Sequence, residues 1–357
     1  MQSTVAVVLV RPETILDDYR RVMELAGIDA SLFDDRPALF ASRDRSGWFP
    51  GAGTPPWQLE GVLRVLEGTR PGCDVGTGPD TTDSGNSLGQ WDVVALDLNG
   101  GGFLDSTGGW AWEGVLARNS AVQACPSGWV DYPVHPQRPM PSLASALPGG
   151  LVLPSPLQGR PVLLMPVLRI LSGWPLAGSV AMLQGLHGNL RRKLQAPLSE
   201  VRAECVALAQ EVFPVMGAVM DATLWGVSRG GESQSVARNV LLAGTDPVAV
   251  DAVAARLAGF EPRNIPWLRL CGERKLGAVS KSDISLVGSR ELQDLDFQVS
   301  AATLGSKGTS LLEMPGGGWF WRTFRKPRIL KKHRGSPWGR LFQEYSENRS
   351  GPAESGI

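Results

Sequence analysis

AGTDPVAVDAVAARLAGFEP, residues 243–262, decides the fold class. It continues VLLAG (240–244), a short apolar run of strand type, into a helix-start signal at Thr245–Asp246–Pro247. An aspartate at the N-cap accepts the free amides of the first turn, worth about 1 kcal/mol. Proline at the first helical position gives up an N–H that has no partner there anyway. VAVDAVAARLA then continues as a helix, and Gly259 suits the left-handed position beyond its end. The helix is apolar nearly all round, so it belongs in the interior. A strand passing directly into a buried helix is the building unit of an α/β protein.

The same grammar extends outward. Val5–Val10 reads as a first strand, and RPETILDDYRRVMELAGI as a helix, with Pro12 at its start and Gly27 at its end. After a Pro/Gly-rich loop, WQLEGVLRVLEG places Leu59, Val62, Leu63 and Leu66 at helical spacing. Residues 70–90 read as a polar loop and WDVVALDLN as a buried strand, while residues 105–160 are rich in Pro, Gly and Trp with weak periodicity. RPVLLMPVLRIL (160–171) reads as one buried strand, followed by helices over about Leu176–Leu194 and Ser199–Val212. VMGAVMDATLWG and VLLAG supply further strands, and ISLVG a last short one.

Solid apolar strands separated by helices predict an α/β fold with a largely parallel or mixed central sheet covered by helices on both faces. The expected organisation is one α/β domain over residues 1–300 with an irregular excursion at about 70–160. A basic, aromatic extension over 301–345 and a disordered end over 346–357 complete it.

Composition narrows the function classes. Of 357 residues, 43% are hydrophobic and 20% charged, and the formal net charge is zero. No whole-molecule field therefore favours nucleic acid or a membrane, and nucleic acid is not an expected partner. No apolar run approaches the ~20 residues of a membrane span, so no transmembrane segment is expected. MQSTVAVVLVRPE reads as a strand rather than a signal peptide, making a cytoplasmic protein the expectation. Cys73, Cys125, Cys205 and Cys271 form no CxxC pair, so there is no iron–sulfur or zinc signature and the thiols read as structural. There is no haem signature, and GAGTPPW lacks the lysine and spacing of a P-loop.

The candidate site residues are carboxylates and arginines. Asp246 reads as a helix cap. Asp251 lies inside an apolar helix, where a buried carboxylate must find a partner or raise its pKa. A salt bridge to a distant arginine and a functional role both remain open for it. Asp221 sits near the expected C-terminal end of GAVMD, the sheet edge where open α/β folds bind ligands. Asp221 and Asp251 together are the candidate catalytic pair, or ligands of a divalent cation. In VSRGGESQSVARN, Gly230 and Gly231 can form an anion-cradling turn, with Arg229, Arg238 and Arg169 as clamps for an anionic small molecule. A plain surface turn is the competing reading.

VMGAVMDATLWG, VLLAGTDPVAVDAVAARLAGFEP and KLGAVSKSDISLVG together resemble the C-terminal half of the domain of unknown function 362 (DUF362) family. ETILDDYRRVMELAG, WFPGAGTPPWQLEGVL, WVDYPVHPQRPM and GGLVLPSPLQGRPVLLMPVLR extend the resemblance over roughly residues 4–290. The resemblance implies an α/β fold and no settled reaction. The chain departs from the family pattern at polar positions. Arg169 and Leu171 stand where the family carries Lys and His, Ala181 and Met182 where it carries Lys and Asn, and Ala222 where "MDG" has glycine. An early Lys-x-Asn is replaced in the region of Arg43–Arg45. Appended iron–sulfur modules are absent. These losses imply a diverged member acting as a binding subunit, with a related protein as its partner. The alternative is a cytoplasmic enzyme using Asp221 and Asp251.

From Trp319 to Arg340 the tail has eight Lys or Arg residues and no acid, interleaved with aromatics. Two readings follow: the aromatics pack back on the domain with the charges solvated, or the tail meets an anionic membrane surface or a protein partner.

Overall fold

A computed structural model describes residues 2–33, 37–43, 53–68, 91–97, 112–118, 122–124, 131–147, 149–154, 157–171, 174–185, 196–229, 232–292 and 334–347. The first elements are β1 (Ser3–Leu9), α1 (Ile15–Leu25), β2 (Ala38–Arg43), α2 (Pro56–Gly68) and β3 (Trp91–Asp97). Then come α3 (Glu113–Arg118), β4 (Val122–Ala124), β5 (Asp131–Pro133), α4 (Pro141–Ala146), β6 (Val152–Pro154), β7 (Val162–Met165), β8 (Val167–Leu171) and β9 (Trp174–Ala177). The rest are α5 (Ser179–Gly185), α6 (Leu198–Val212), β10 (Met216–Arg229), β11 (Glu232–Gly244), α7 (Pro247–Leu257), α8 (Pro266–Glu273), β12 (Ile284–Gly288) and α9 (Pro337–Glu347).

Among the described residues, the central sheet has the order β12-β1-β11-β10-β7-β2-β3-β4, with β8 and then β9 branching from β10. It is a mixed sheet in an α/β fold. β10, β7, β2, β3 and β4 run parallel to one another along that path, β11 is antiparallel to both β1 and β10, and β12 returns parallel to β1. The strands are apolar on both faces because both faces are covered. Val5, Phe40, Leu164, Met220 and Leu242 enter one core, against α4 to α8. Their neighbours Ala6, Leu39, Leu163, Val219 and Leu241 enter the other, against α1, α2, α3 and α9.

Several sequence expectations are corrected here. RPVLLMPVLRIL is two strands, because Pro166 has no N–H for a ladder; its carbonyl instead accepts the Asp221 amide at 2.9 Å. The helix expected over about 176–194 starts later: Trp174–Ala177 pairs antiparallel with β8, the helix begins at Ser179, and residues 186–194 lie outside the described residues. Pro175 is compatible with this strand because, among the described residues, β9 pairs on one side alone. On either side of Gly230–Gly231, which lie outside the described residues, Val227–Arg229 and Glu232–Asn239 extend β10 and β11 as antiparallel partners. The pairing carries a bulge, with Ala222 opposite Val240 and Leu224 opposite Ala237, and Asn239 adopts φ 58° within it. Asparagine tolerates that left-handed conformation better than most residues.

Within the excursion at 70–160, WDVVALDLN forms β3, the strand expected of it. The rest is not wholly irregular: β4 joins the sheet beside β3, and β5 pairs with β6 in a small second sheet.

The described part of the tail packs inward. Trp338 and Tyr345 of α9 are buried in the second core, and Trp338 Nε1 donates to Asn239 Oδ1 at 2.7 Å. The helix continues through Glu347, past the expected boundary at 346. Trp319–His333 and residues 348–357 lie outside the described residues. Among the described residues, no helix is long and apolar enough to cross a membrane.

Candidate functional site

The three aspartates singled out from the sequence are placed by different elements, and the structure gives each its own set of internal donors. Asp221 lies within β10, beside the bulge and opposite the strand break at Pro166. Strand alternation points it to the same face as Val219, into the core formed with α1 and α2. It is 1% exposed. Its Oδ2 accepts Tyr19 Oη at 2.7 Å and Trp57 Nε1 at 2.8 Å. Its Oδ1 accepts the Thr223 amide at 2.9 Å and Thr223 Oγ1 at 2.6 Å.

Four donors fill the ordinary accepting capacity of a carboxylate. Burial pushes its pKa up, against the opposing pull of these hydrogen bonds. Burial, reinforced by the neighbouring Asp221 charge, holds the Tyr19 phenol well above its usual value. Aromatic rings of α9 cover Trp57, with the tilted rings of Trp338 and Tyr345 centred 5.4 Å and 6.4 Å from it.

Asp251 sits on α7, on the opposite side of the sheet. Its Oδ1 accepts the Ser179 amide at 2.7 Å and its Oδ2 the Val180 amide at 3.0 Å. The aspartate therefore serves as an acceptor for the first amides of α5, which a helix start leaves without intrahelical partners. Gly178 makes this possible: a Cβ there would collide with Asp251 Oδ1 and stand 2.7 Å from Met220 Cε. Burial pushes the Asp251 carboxyl up to about 6, while the two backbone bonds and the positive Arg202 act to hold it down. Arg202 is itself buried, which lowers its pKa to about 10. Its guanidinium lies 4.3 Å over the Trp267 ring, and its Nε donates to Gln184 Oε1 at 2.9 Å. The arginine that the sequence left unnamed is Arg202, acting as a nearby opposing charge beside the amide bonds.

Asp246 is the N-cap of α7. Its Oδ1 accepts the amides of Val248 and Ala249, each at 3.0 Å. Its Oδ2 accepts Ser3 Oγ and the Ala278 amide, both at 2.8 Å. One side chain thus joins the start of β1, the start of α7 and the turn before β12. Gly277 gives it room, since a Cβ there would lie 2.6 Å from Asp246 Oδ1.

The structure does not bring Asp221 and Asp251 together: their donors belong to opposite cores, with the sheet between them. Among the described residues, no group of three or more His, Cys, Asp or Glu side chains is placed to hold a metal ion. The proposed anion clamps lie on β8, β10 and β11. Arg169 is half-buried on β8 across from Gly226 and Ala177. Arg238 lies with its guanidinium 5.6 Å from the Trp225 ring. Arg229 ends β10, and Gly230 and Gly231 lie outside the described residues. Cys205 and Cys271 are free and buried. Burial raises both thiols, Cys271 to about 12, so neither is poised as a nucleophile.

Tyr19, Trp57, Ser179, Val180, Arg202 and Trp338 escaped the sequence reading. Only Thr223 carried a local signal, because a hydroxyl residue two positions after an aspartate commonly closes such a turn. No family model, curated protein or solved structure matches this chain.

Proposed function

We propose that the chain is a diverged member of the DUF362 family acting as a binding or partner subunit, rather than using its aspartates for catalysis. One observation carries this reading. In each candidate carboxylate, both oxygens face an N–H group that can only donate: Thr223 and Trp57 for Asp221, Ser179 and Val180 for Asp251, Val248 and Ala278 for Asp246. Such acceptors are already committed to joining elements of the fold, and a substrate or cation would have to displace those bonds.

A position where the resemblance implies a polar group supports the same view. Met182, where the resemblance implies Asn, is buried in the first core and offers no amide to a ligand. The partner best suited to such a chain is a related protein that retains those polar residues, in the cytoplasm.

The test is native mass spectrometry of the protein purified from its own host. A second, related chain at fixed stoichiometry supports the proposal. A solitary protein with a stoichiometric metal, lost in a folded Asp221→Asn or Asp251→Asn variant, overturns it in favour of a carboxylate enzyme.

A further inference from the structure

A cavity of about 310 Å³ opens between α7 and the β1–β12 edge of the sheet. Its size is at the lower end of the roughly 300–1,000 Å³ typical of small-molecule sites. The walls divide by chemistry. Val253 and Leu257 of α7, with Ile284 and Leu292 beyond the turn, form an apolar floor; all four are buried. Arg256, Lys281 and Ser289 contribute the polar lining.

Arg256 is the unusual member. It is half-buried, and burial lowers its pKa. Its Nη2 donates to the Val279 carbonyl at 2.5 Å. Among the described residues no carboxylate lies within ion-pair distance of it; Glu261 acts on it only as a more distant charge. Lys281, also without an ion pair among the described residues, brings a second positive charge to the same cavity. A partly desolvated guanidinium facing a hollow is costly unless an anion neutralises it, and its planar fork matches a carboxylate.

The geometry points to this cavity as a binding site for a small amphipathic carboxylate, such as a medium-chain acid. Its headgroup meets Arg256 and Lys281, and its hydrocarbon body lies against Val253, Leu257, Ile284 and Leu292. The apolar floor disfavours a compact, strongly hydrated polyanion, which would leave it uncovered. None of these residues belongs to the aspartate networks, so the inference stands apart from the partner-subunit reading. A bound acid and a co-purifying chain are also separate readouts.

Isothermal titration calorimetry of the full chain with octanoate, hexanoate, 1-octanol and inorganic phosphate tests the site. Octanoate is expected to bind. Each methylene removed weakens binding about fourfold (about 0.8 kcal/mol), so hexanoate should bind roughly fifteenfold more weakly. Octanol and phosphate should each bind at least tenfold more weakly than octanoate. Arg256→Gln should weaken octanoate at least tenfold. Because that change also removes the bond to Val279, Lys281→Gln serves as the second variant: Lys281 is exposed, and its loss should weaken octanoate about threefold with an unchanged Tm. No heat with octanoate at millimolar concentration overturns the inference. So does octanol or phosphate binding as tightly as octanoate, or octanoate binding unaffected by both variants.

Discussion

Replacing Asp221 by asparagine changes one atom and asks directly whether that carboxylate is a structural acceptor. An amide has one accepting oxygen. If that oxygen stays toward Thr223, the amide nitrogen faces Tyr19 Oη and Trp57 Nε1. The tyrosine hydroxyl can rotate and accept, but the indole N–H is only a donor. If the amide flips, its nitrogen meets the Thr223 backbone N–H instead, which cannot reverse either.

Both orientations strand one buried donor, at a cost of about 1–3 kcal/mol. The remaining bonds lose their charge assistance, while relief of a buried charge offsets part of the loss. The net expectation is destabilisation of about 2 kcal/mol. At about 2.1 cal/mol/K of unfolding entropy per residue, that is a fall in Tm of about 3 °C. Urea unfolding followed by tryptophan emission measures it, since Trp57 and Trp338 flank the site. Tyr19→Phe is the control: it removes one bond to a charged acceptor and should cost about 1.5–3 kcal/mol. An Asp221→Asn protein as stable as the original, or more stable, would refute the reasoning. That is the behaviour expected where a strained active-site group is removed.

Two further outcomes follow from the other buried groups. The Asp251 carboxyl rises from 3.8 to about 6 on folding. Between those values the folded state keeps a proton that the unfolded state has lost, so this group makes stability fall as pH rises from about 4 to about 6, then level off. The amount is about 3 kcal/mol, at about 1.4 kcal/mol per unit. It appears as the difference between the stability–pH curves of the original and Asp251→Asn proteins, and a flat difference across that window contradicts the assignment. Trp338→Ala removes a buried ring that packs against Trp57 and bonds Asn239. It should cost about 3 kcal/mol and shift the remaining tryptophan emission to longer wavelength, whereas an unchanged spectrum and midpoint would mean that α9 does not cover Trp57.

The sequence by itself determined the features that depend on near neighbours. Apolar runs without alternation implied a sheet covered on both faces. Thr245–Asp246–Pro247 announced a capped helix, and Asp246 is that cap. Gly27 and Gly259 marked the ends of α1 and α7, and both adopt positive φ. Such signals are legible because a cap, a period or a left-handed residue is settled within one or two turns of chain.

Only the tertiary structure decided which groups the buried aspartates would meet. Tyr19 lies 202 residues from Asp221, and Ser179 lies 72 from Asp251, so no local pattern links them. The same holds for the length of the β10–β11 pairing on either side of the Gly pair, and for β11 lying between β1 and β10. Asp221 and Asp251 looked like partners because both are acids in apolar surroundings. The sheet separates them: the pleat turns Asp221 toward α1 and α2, whereas Asp251 lies on α7, which packs on the other face, and it was the packing of helices on each face that supplied their donors.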